Sequence, residues 1–190
     1  MREGADGPER RENGRIMSDN EANRVADRPR VLVSVDGSKD GLRAVRYAMR
    51  AAESATADLW VVNVVDEVAP MSGMWDVVLP PEILRGIGEA AVAEALSVVE
   101  AAGFPADRVT GEVEVGRPGD VLAELSGKAG LLVVGRRSGG GLERMFVGST
   151  SLAAAMRSEC PVIVISAAST PHETGGLGVV AVAVSARPVH

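Results

Sequence analysis

Short apolar runs alternate with longer, partly polar segments through most of the chain. Most of the runs are rich in Val, Ile and Leu, as is typical of strands buried in a parallel sheet, whereas residues 109–115 alternate apolar with polar positions. We predict five strands, at residues 31–35, 59–65, 109–115, 131–134 and 161–165.

Helical periodicity fills the segments between these strands. Four helices are predicted: at residues 38–53, from Pro80-Pro81 to Gly103, after Pro118, and at residues 149–159. Ser38 is the expected N-cap of the first. The buried face predicted for the second helix consists of Ile83, Ile87, Ala91, Ala95, Val98, Val99 and Ala102. Gly86 and Gly88 within this helix are each expected to cost up to about 1 kcal/mol relative to alanine.

Strands that alternate with helices predict a parallel sheet covered by helices on both faces. Right-handed crossovers make this a doubly wound α/β domain. In such sheets ligands bind outside the carboxyl ends of the strands, where the strand order reverses. A site is therefore expected around residues 36–38, after Val64, and at Gly116 and Gly135.

The two ends of the chain depart from this pattern. Residues 1–28 mix Arg with Asp and Glu and have almost no periodic apolar residues, so we predict a disordered tail. Residues 29–167 form the predicted domain, and residues 168–190 a C-terminal extension. Within the extension, residues 178–184 are apolar and predict a further strand. Exposed, this strand would aggregate, so it must pair with its own sheet edge or with a second chain.

Composition excludes several classes of function. A formal net charge of −6 and 3% aromatic residues argue against nucleic-acid binding. The single cysteine, Cys160, and two histidines near the C-terminus give the predicted domain no disulfide framework and no His-based catalytic or metal centre. Neither a membrane-spanning run nor a secretory signal is present, so we expect a cytoplasmic protein.

The segment from Gly135 to Ser151 carries the most chemistry. It leaves the fourth strand, passes through three consecutive glycines and enters a helix at Gly148-Ser149-Thr150. Glycines allow close approach of the backbone to a ligand, and the helix start offers N–H groups and a positive dipole end to a phosphate. The alternative is a glycine-rich turn in which Ser149 only caps the helix. It is not a P-loop, because no Gly-Lys-Ser/Thr is present.

Several segments together resemble the universal stress protein family. Residues 31–38 (Val-Leu-Val-Ser-Val-Asp-Gly-Ser) are similar to its opening strand. Gly135, the nine residues 139–147 and Gly148-Ser149 resemble its nucleotide motif, which is Gly, two residues, Gly, nine residues, Gly, then Ser or Thr. The triplets at residues 116–118 and 160–162 also match, so the resemblance covers residues 30–166.

The resemblance implies a Rossmann-like single domain with strand order 3-2-1-4-5, a bound ATP with or without Mg²⁺, and a homodimer formed through the fifth-strand edge. Asp36 is implied to contact the ribose or adenine; its alternative role is that of a turn or capping residue. The residues expected to hold the nucleotide are Ser34, Asp36, Val64, Val134, Gly135, Arg137, Ser138, Gly148, Ser149 and Thr150.

One position departs from the motif: Ser138 stands where the family has its second glycine. If that position needs a left-handed backbone, serine costs about 1–2 kcal/mol there. Three functions therefore stay open. The chain is an ATP-binding regulatory stress-response protein, a family member that acts only through protein partners, or a slow ATPase or adenylating enzyme. We expect no dedicated catalysis, because no triad, carboxylate dyad or metal cluster can be assembled from the domain.

Overall fold

The structure is a computed structural model that describes residues 11–12, 15–16, 28–66, 80–135, 149–165 and 180–182. Its strands are β1 (Arg11–Glu12), β2 (Arg15–Ile16), β3 (Arg30–Ser34), β4 (Asp58–Val65), β5 (Val109–Val115), β6 (Leu131–Gly135), β7 (Val162–Ile165) and β8 (Val180–Val182). Its helices are α1 (Lys39–Ala55), α2 (Pro81–Ala101), α3 (Pro118–Ser126) and α4 (Ser149–Arg157), with a short 3₁₀ helix at Ala106–Arg108. The strands β1 and β2 form a small antiparallel pair that the sequence analysis did not predict.

The main sheet has six strands in the order β5-β4-β3-β6-β7-β8. The first five are parallel. Counted along the chain, their order is 3-2-1-4-5, which confirms the predicted doubly wound fold. The order reverses at β3, where Ser34 pairs with Val62 of β4 on one side and with Val134 of β6 on the other.

The strand β8 adds an antiparallel edge to this sheet. It pairs with β7 of the same chain, with Ile163 opposite Ala181. Of the two alternatives for the apolar C-terminal run, the structure shows pairing with its own sheet edge. The β7 edge is thereby covered over three residue pairs.

The core consists of two layers, one on each face of the sheet. Alternate residues of each central strand point to opposite faces, as the pleat requires. Val33 and Val61 pack against α1 and α2, whereas Leu32 and Val62 pack against α3 and α4. This two-sided burial explains why the strands appear in the sequence as continuous apolar runs.

The helix ends follow local chemistry. Ser38 caps α1 as predicted, since its Oγ accepts the Gly41 N–H at 3.0 Å. The helix continues to Ala55, slightly beyond the predicted end, and stops at Thr56 in the left-handed conformation (φ 53°). Gly103, with φ 78°, follows the end of α2 and confirms the predicted stop.

The buried face of α2 differs from the predicted one. Ile83 and Ile87, placed inward by the sequence pattern, are 53% and 55% exposed. Three residues of the predicted face, Ala91, Ala95 and Val99, are buried as expected, and Gly88 and Val92 are buried beside them. The reason is the close approach at Gly88, where a Cβ atom would lie 2.6 Å from Asn63 Oδ1. The two isoleucines lie beside this line of contact and remain in solvent.

Candidate functional site

The parallel strands all end at one edge of the sheet, which we call the carboxyl edge. Two neighbouring strands, β3 and β6, end there on either side of the point where the strand order reverses. Their last paired residues are Ser34, which is half-buried, and Val134, which is buried. In doubly wound sheets, the usual ligand position is a crevice outside the strand ends at this point.

Asp36 forms a turn at the end of β3. Its Oδ1 accepts the Ser38 N–H at 3.0 Å, and Gly37 follows with φ 71°, a conformation that glycine adopts without strain. The turn role that the sequence analysis considered for Asp36 is therefore present. Its exposed carboxylate lies over the start of α1, where a Cβ on Gly41 would be 3.1 Å from Oδ1. The nucleotide contact of Asp36 stays a prediction.

Gly135, at the end of β6, packs directly against the backbone at the start of α1. A Cβ atom at this position would lie 2.7 Å from the Gly41 nitrogen and 2.7 Å from the Asp40 carbonyl carbon. Both atoms belong to backbone, so they have little freedom to move aside. The first glycine of the motif is therefore required for packing, and this packing brings the start of α1 to the crevice.

The start of α4 lies at the same place. Ser151, which is 3% exposed, donates its hydroxyl to the Gly135 carbonyl at 3.4 Å. This contact places the start of α4 beside the end of β6, across the 16 residues that separate Gly135 from Ser151. On its other side α4 packs against α3, where a Cβ on Gly119 would lie 2.6 Å from the Ala153 Cβ. Thr150 is half-buried beside Ser151.

The two helix starts differ in charge. Asp40 lies in the first turn of α1 and is 1% exposed; Arg43 pairs with its Oδ1. Its other oxygen, Oδ2, is buried with no hydrogen-bond partner in the part of the chain that the structure describes. The first turn of α4 has no acidic residue. No acidic side chain opposes an anion at the start of α4, whereas at α1 the charge of Asp40 is balanced by Arg43 and by Lys39, the first residue of the helix.

The strand β4 ends beside β3 at the same carboxyl edge. Val64, one of the residues predicted to contact the nucleotide, is half-buried there. Beside it, Asn63 is buried and donates its Nδ2–H to the Val35 carbonyl at 2.7 Å. The sequence analysis missed Asn63, Asp40 and the burial of Ser151. A polar residue within an apolar strand run is the one signal that points to Asn63.

Several predicted site residues lie outside the described ranges. These are Arg137, Ser138 and Gly148, and for Ser149 the structure describes only that it begins α4. Within residues 28–66, 80–135 and 149–165, no three His, Cys, Asp or Glu side chains gather in a group that could hold a metal ion. In the same described part, no helix is long and apolar enough to cross a membrane.

Cys160 is a free, buried thiol. It lies just before β7, with its Sγ 3.6 Å from Ser158 Oγ. Burial raises the pKa of this thiol above its usual range, which the hydrogen bond from Ser158 only partly offsets. A thiol that stays protonated is a poor nucleophile.

Comparison with known proteins gives a consistent result. The sequence profile of the Universal stress protein family matches residues 28–166. A universal stress protein of Methanocaldococcus jannaschii is 28% identical over 142 residues, which is 72% of this chain and 81% of that protein. One from Bacillus subtilis is 29% identical over 144 residues, 72% of this chain and 97% of that protein. A Mycobacterium tuberculosis relative is 33% identical, and the match spans 71% of this chain but only 46% of that protein.

Solved structures agree with this result. A universal stress protein crystallised in complex with cAMP is 29% identical and superimposes with a TM-score of 0.54, covering 73% of this chain and 96% of that one. A Lactobacillus plantarum universal stress protein is 26% identical, with a TM-score of 0.54 over 72% of this chain and 97% of that one. The chain therefore belongs to the universal stress protein family.

Proposed function

We propose that this protein binds ATP in the crevice at the carboxyl edge, between β3 and β6, and acts as a regulatory module. The observation that carries the proposal is the contact of Ser151 with the Gly135 carbonyl at 3.4 Å. Through it, the start of α4 lies directly beside the strand end that Gly135 packs against α1. Support also comes from the relative that was crystallised with cAMP, an adenine nucleotide.

The phosphates are proposed to lie at the start of α4 rather than α1. At α1, the Gly41 N–H is already bonded to the Ser38 hydroxyl, and the Ser38 N–H to the Asp36 carboxylate. The first turn of α4 instead offers the hydroxyls of Ser149 and Thr150, and no acidic side chain. Unpaired N–H groups and the positive dipole end at such a helix start stabilise phosphate.

The nucleoside is proposed to lie toward the ends of β3 and β4, near Asp36 and Val64. A carboxylate is suited to accept hydrogen bonds from ribose hydroxyls, and a half-buried valine provides an apolar surface for the adenine ring. These residues bind and orient the nucleotide. We propose no dedicated catalytic step for them.

We also propose that the chain forms a homodimer through the sheet edge made by β7 and β8. The strand β8 is the outermost strand of the described sheet and contains three residues. An apolar edge strand presents backbone N–H and C=O groups to which a strand of a second chain can pair. Because β8 covers β7 of its own chain, the partner must either add to β8 or replace it.

Calorimetric titration of ATP with Mg²⁺ into protein stripped of nucleotide tests the main proposal. Binding at millimolar ATP or below is expected, and its absence would contradict the proposal. Absence would favour a family member that acts only through protein partners, an alternative supported by Ser138 at the second motif position.

A charge variant tests where the phosphates lie. Ser149→Asp places a negative charge at the start of α4, where it favours the helix itself but repels phosphate. ATP binding should weaken by tenfold or more, about 1.4 kcal/mol or above. Met156→Glu, on an exposed position of the same helix, adds the same charge as a matched control. Unchanged binding in Ser149→Asp would place the phosphates elsewhere.

A further inference from the structure

The side chain of Asn63 ends the hydrogen-bond ladder between β3 and β4. The last backbone rung joins the Val35 N–H to the Val62 carbonyl at 2.9 Å. In a continued parallel ladder the Val35 carbonyl would next accept the backbone N–H of Val64. It accepts the Asn63 Nδ2–H instead, at 2.7 Å. The two strands therefore separate immediately before Asp36, and the carbonyl is not left unsatisfied.

The Asn63 side chain is buried where α2 approaches the sheet most closely. It is 8% exposed. A Cβ on Gly88 of α2 would lie 2.6 Å from its Oδ1, and the same Cβ would lie 3.0 Å from the side chains of Val65 in β4 and Val113 in β5. The absence of a side chain at position 88 is thus what leaves room for the amide. An amide enclosed in this way has few alternative rotamers.

The same helix also contacts the turn that follows β3. A Cβ on Gly37 would lie 3.9 Å from the Ala91 Cβ of α2, one helical turn from Gly88. The helix therefore supports Asn63 and the Asp36-Gly37 turn together. The amide links them, since its acceptor is the carbonyl of the residue that precedes Asp36.

A buried asparagine can serve only the stability of the core, and that is the simpler interpretation. The position of this one argues for more. It lies where two strands must separate for a ligand to enter, and it fixes the backbone next to a residue proposed to contact that ligand. Groups that bind a ligand need supporting hydrogen bonds behind them, because a displacement of about 1 Å weakens the contact.

We infer that Asn63 is a positioning residue of the nucleotide pocket: it ends the β3–β4 ladder and holds the Val35 carbonyl so that Asp36 faces the nucleoside. The inference rests on the proposed function. Its effect belongs to the nucleoside end of the ligand, so it does not depend on the phosphates.

Titrations of adenosine and of ATP into Asn63→Leu test this inference. Leucine keeps the volume and removes the donor, so both ligands should bind about tenfold more weakly, by the same factor. Asn63→Asp keeps the shape and replaces the donor with an oxygen that does not donate when ionised. It should show the same loss, and it carries the test if the leucine variant does not fold.

Ser126→Ala is the matched control. Ser126 is also buried, and its Oγ donates to the Ala123 carbonyl at 2.6 Å and accepts the Glu159 N–H at 2.8 Å. It lies just before β6, near the amino ends of the strands, whereas the site lies at the carboxyl edge. Its loss should lower the thermal midpoint and leave both affinities unchanged.

The outcomes separate the inference from the proposed function. If wild-type protein binds both ligands and Asn63→Leu and Asn63→Asp bind them equally well, the positioning role is overturned. It is also overturned if Ser126→Ala loses the same affinity, since the effect is then one of general stability. If wild-type protein binds neither adenosine nor ATP, the proposed function itself fails, and the inference falls with it.

Discussion

Replacing Gly88 with alanine is expected to destabilise the domain, although the same replacement at Gly86 should stabilise it. Both glycines lie inside α2, where alanine is favoured over glycine by about 1 kcal/mol. At Gly86 nothing lies within 4 Å of the added Cβ, so that gain is realised. At Gly88 the Cβ meets Asn63 Oδ1 at 2.6 Å and two valine methyl groups at 3.0 Å.

The magnitude follows from these contacts. Overpacking of a tight core site costs about 1–3 kcal/mol. Displacing the Asn63 amide weakens its hydrogen bond to the Val35 carbonyl, which contributes about 1 kcal/mol. Subtracting the helix gain of about 1 kcal/mol leaves Gly88→Ala destabilised by about 1–3 kcal/mol. Gly86→Ala should be stabilised by about 0.5–1 kcal/mol.

Urea unfolding of nucleotide-free protein, followed by far-ultraviolet circular dichroism, measures both changes. In thermal unfolding the midpoints should move in opposite directions, by roughly 2–4 °C per kcal/mol for a domain of this size. The reasoning depends on the opposite signs. If Gly88→Ala is stabilised as much as Gly86→Ala, then α2 does not approach β4 and β5 as closely as described.

Two further predictions concern the glycine-rich motif and the C-terminal end of the chain. Ser138→Gly should tighten ATP binding by up to about tenfold, or 1.4 kcal/mol, if the serine occupies a backbone conformation that favours glycine; equal or weaker binding by calorimetry would show that serine is accommodated there. Truncation after Ala168 removes β8, and light scattering should show a loss of the dimer if β8 forms the contact. A truncated protein that stays dimeric at micromolar concentration would exclude β8 as the main interface, and a monomeric full-length protein would exclude the dimer.

Much of the fold was predictable from the sequence because strand burial is a local pattern. The five parallel strands lie within one residue of their predicted bounds. Four of them are largely buried and mostly apolar, whereas β5, at the edge of the sheet, alternates apolar with polar residues and is largely exposed. The caps were predictable for the same reason. Ser38 acts on an N–H three residues away, and Gly103 acts on the helix end beside it.

The candidate site was predictable only in outline. The glycine spacing pointed to Gly135 and the start of α4, and the structure brings Gly135 and Ser151 into contact. The sequence pattern did not show that Gly135 is required by the backbone of α1, or that Asp40 is buried beside it. These facts depend on which distant segments meet, and no local pattern records that.

The sequence by itself therefore determined the order and type of the five parallel strands and the four helices between them, their approximate ends, and the resemblance to the family. Tertiary structure decided which face of α2 is buried, because the choice between Ile87 and Gly88 depends on how closely a helix approaches strands distant in sequence. It also decided that β8 pairs with β7 of its own chain and that Asn63 ends the β3–β4 ladder. Periodicity reports the environment of a residue along one element, whereas these outcomes depend on contacts between elements, which form only when the chain is folded.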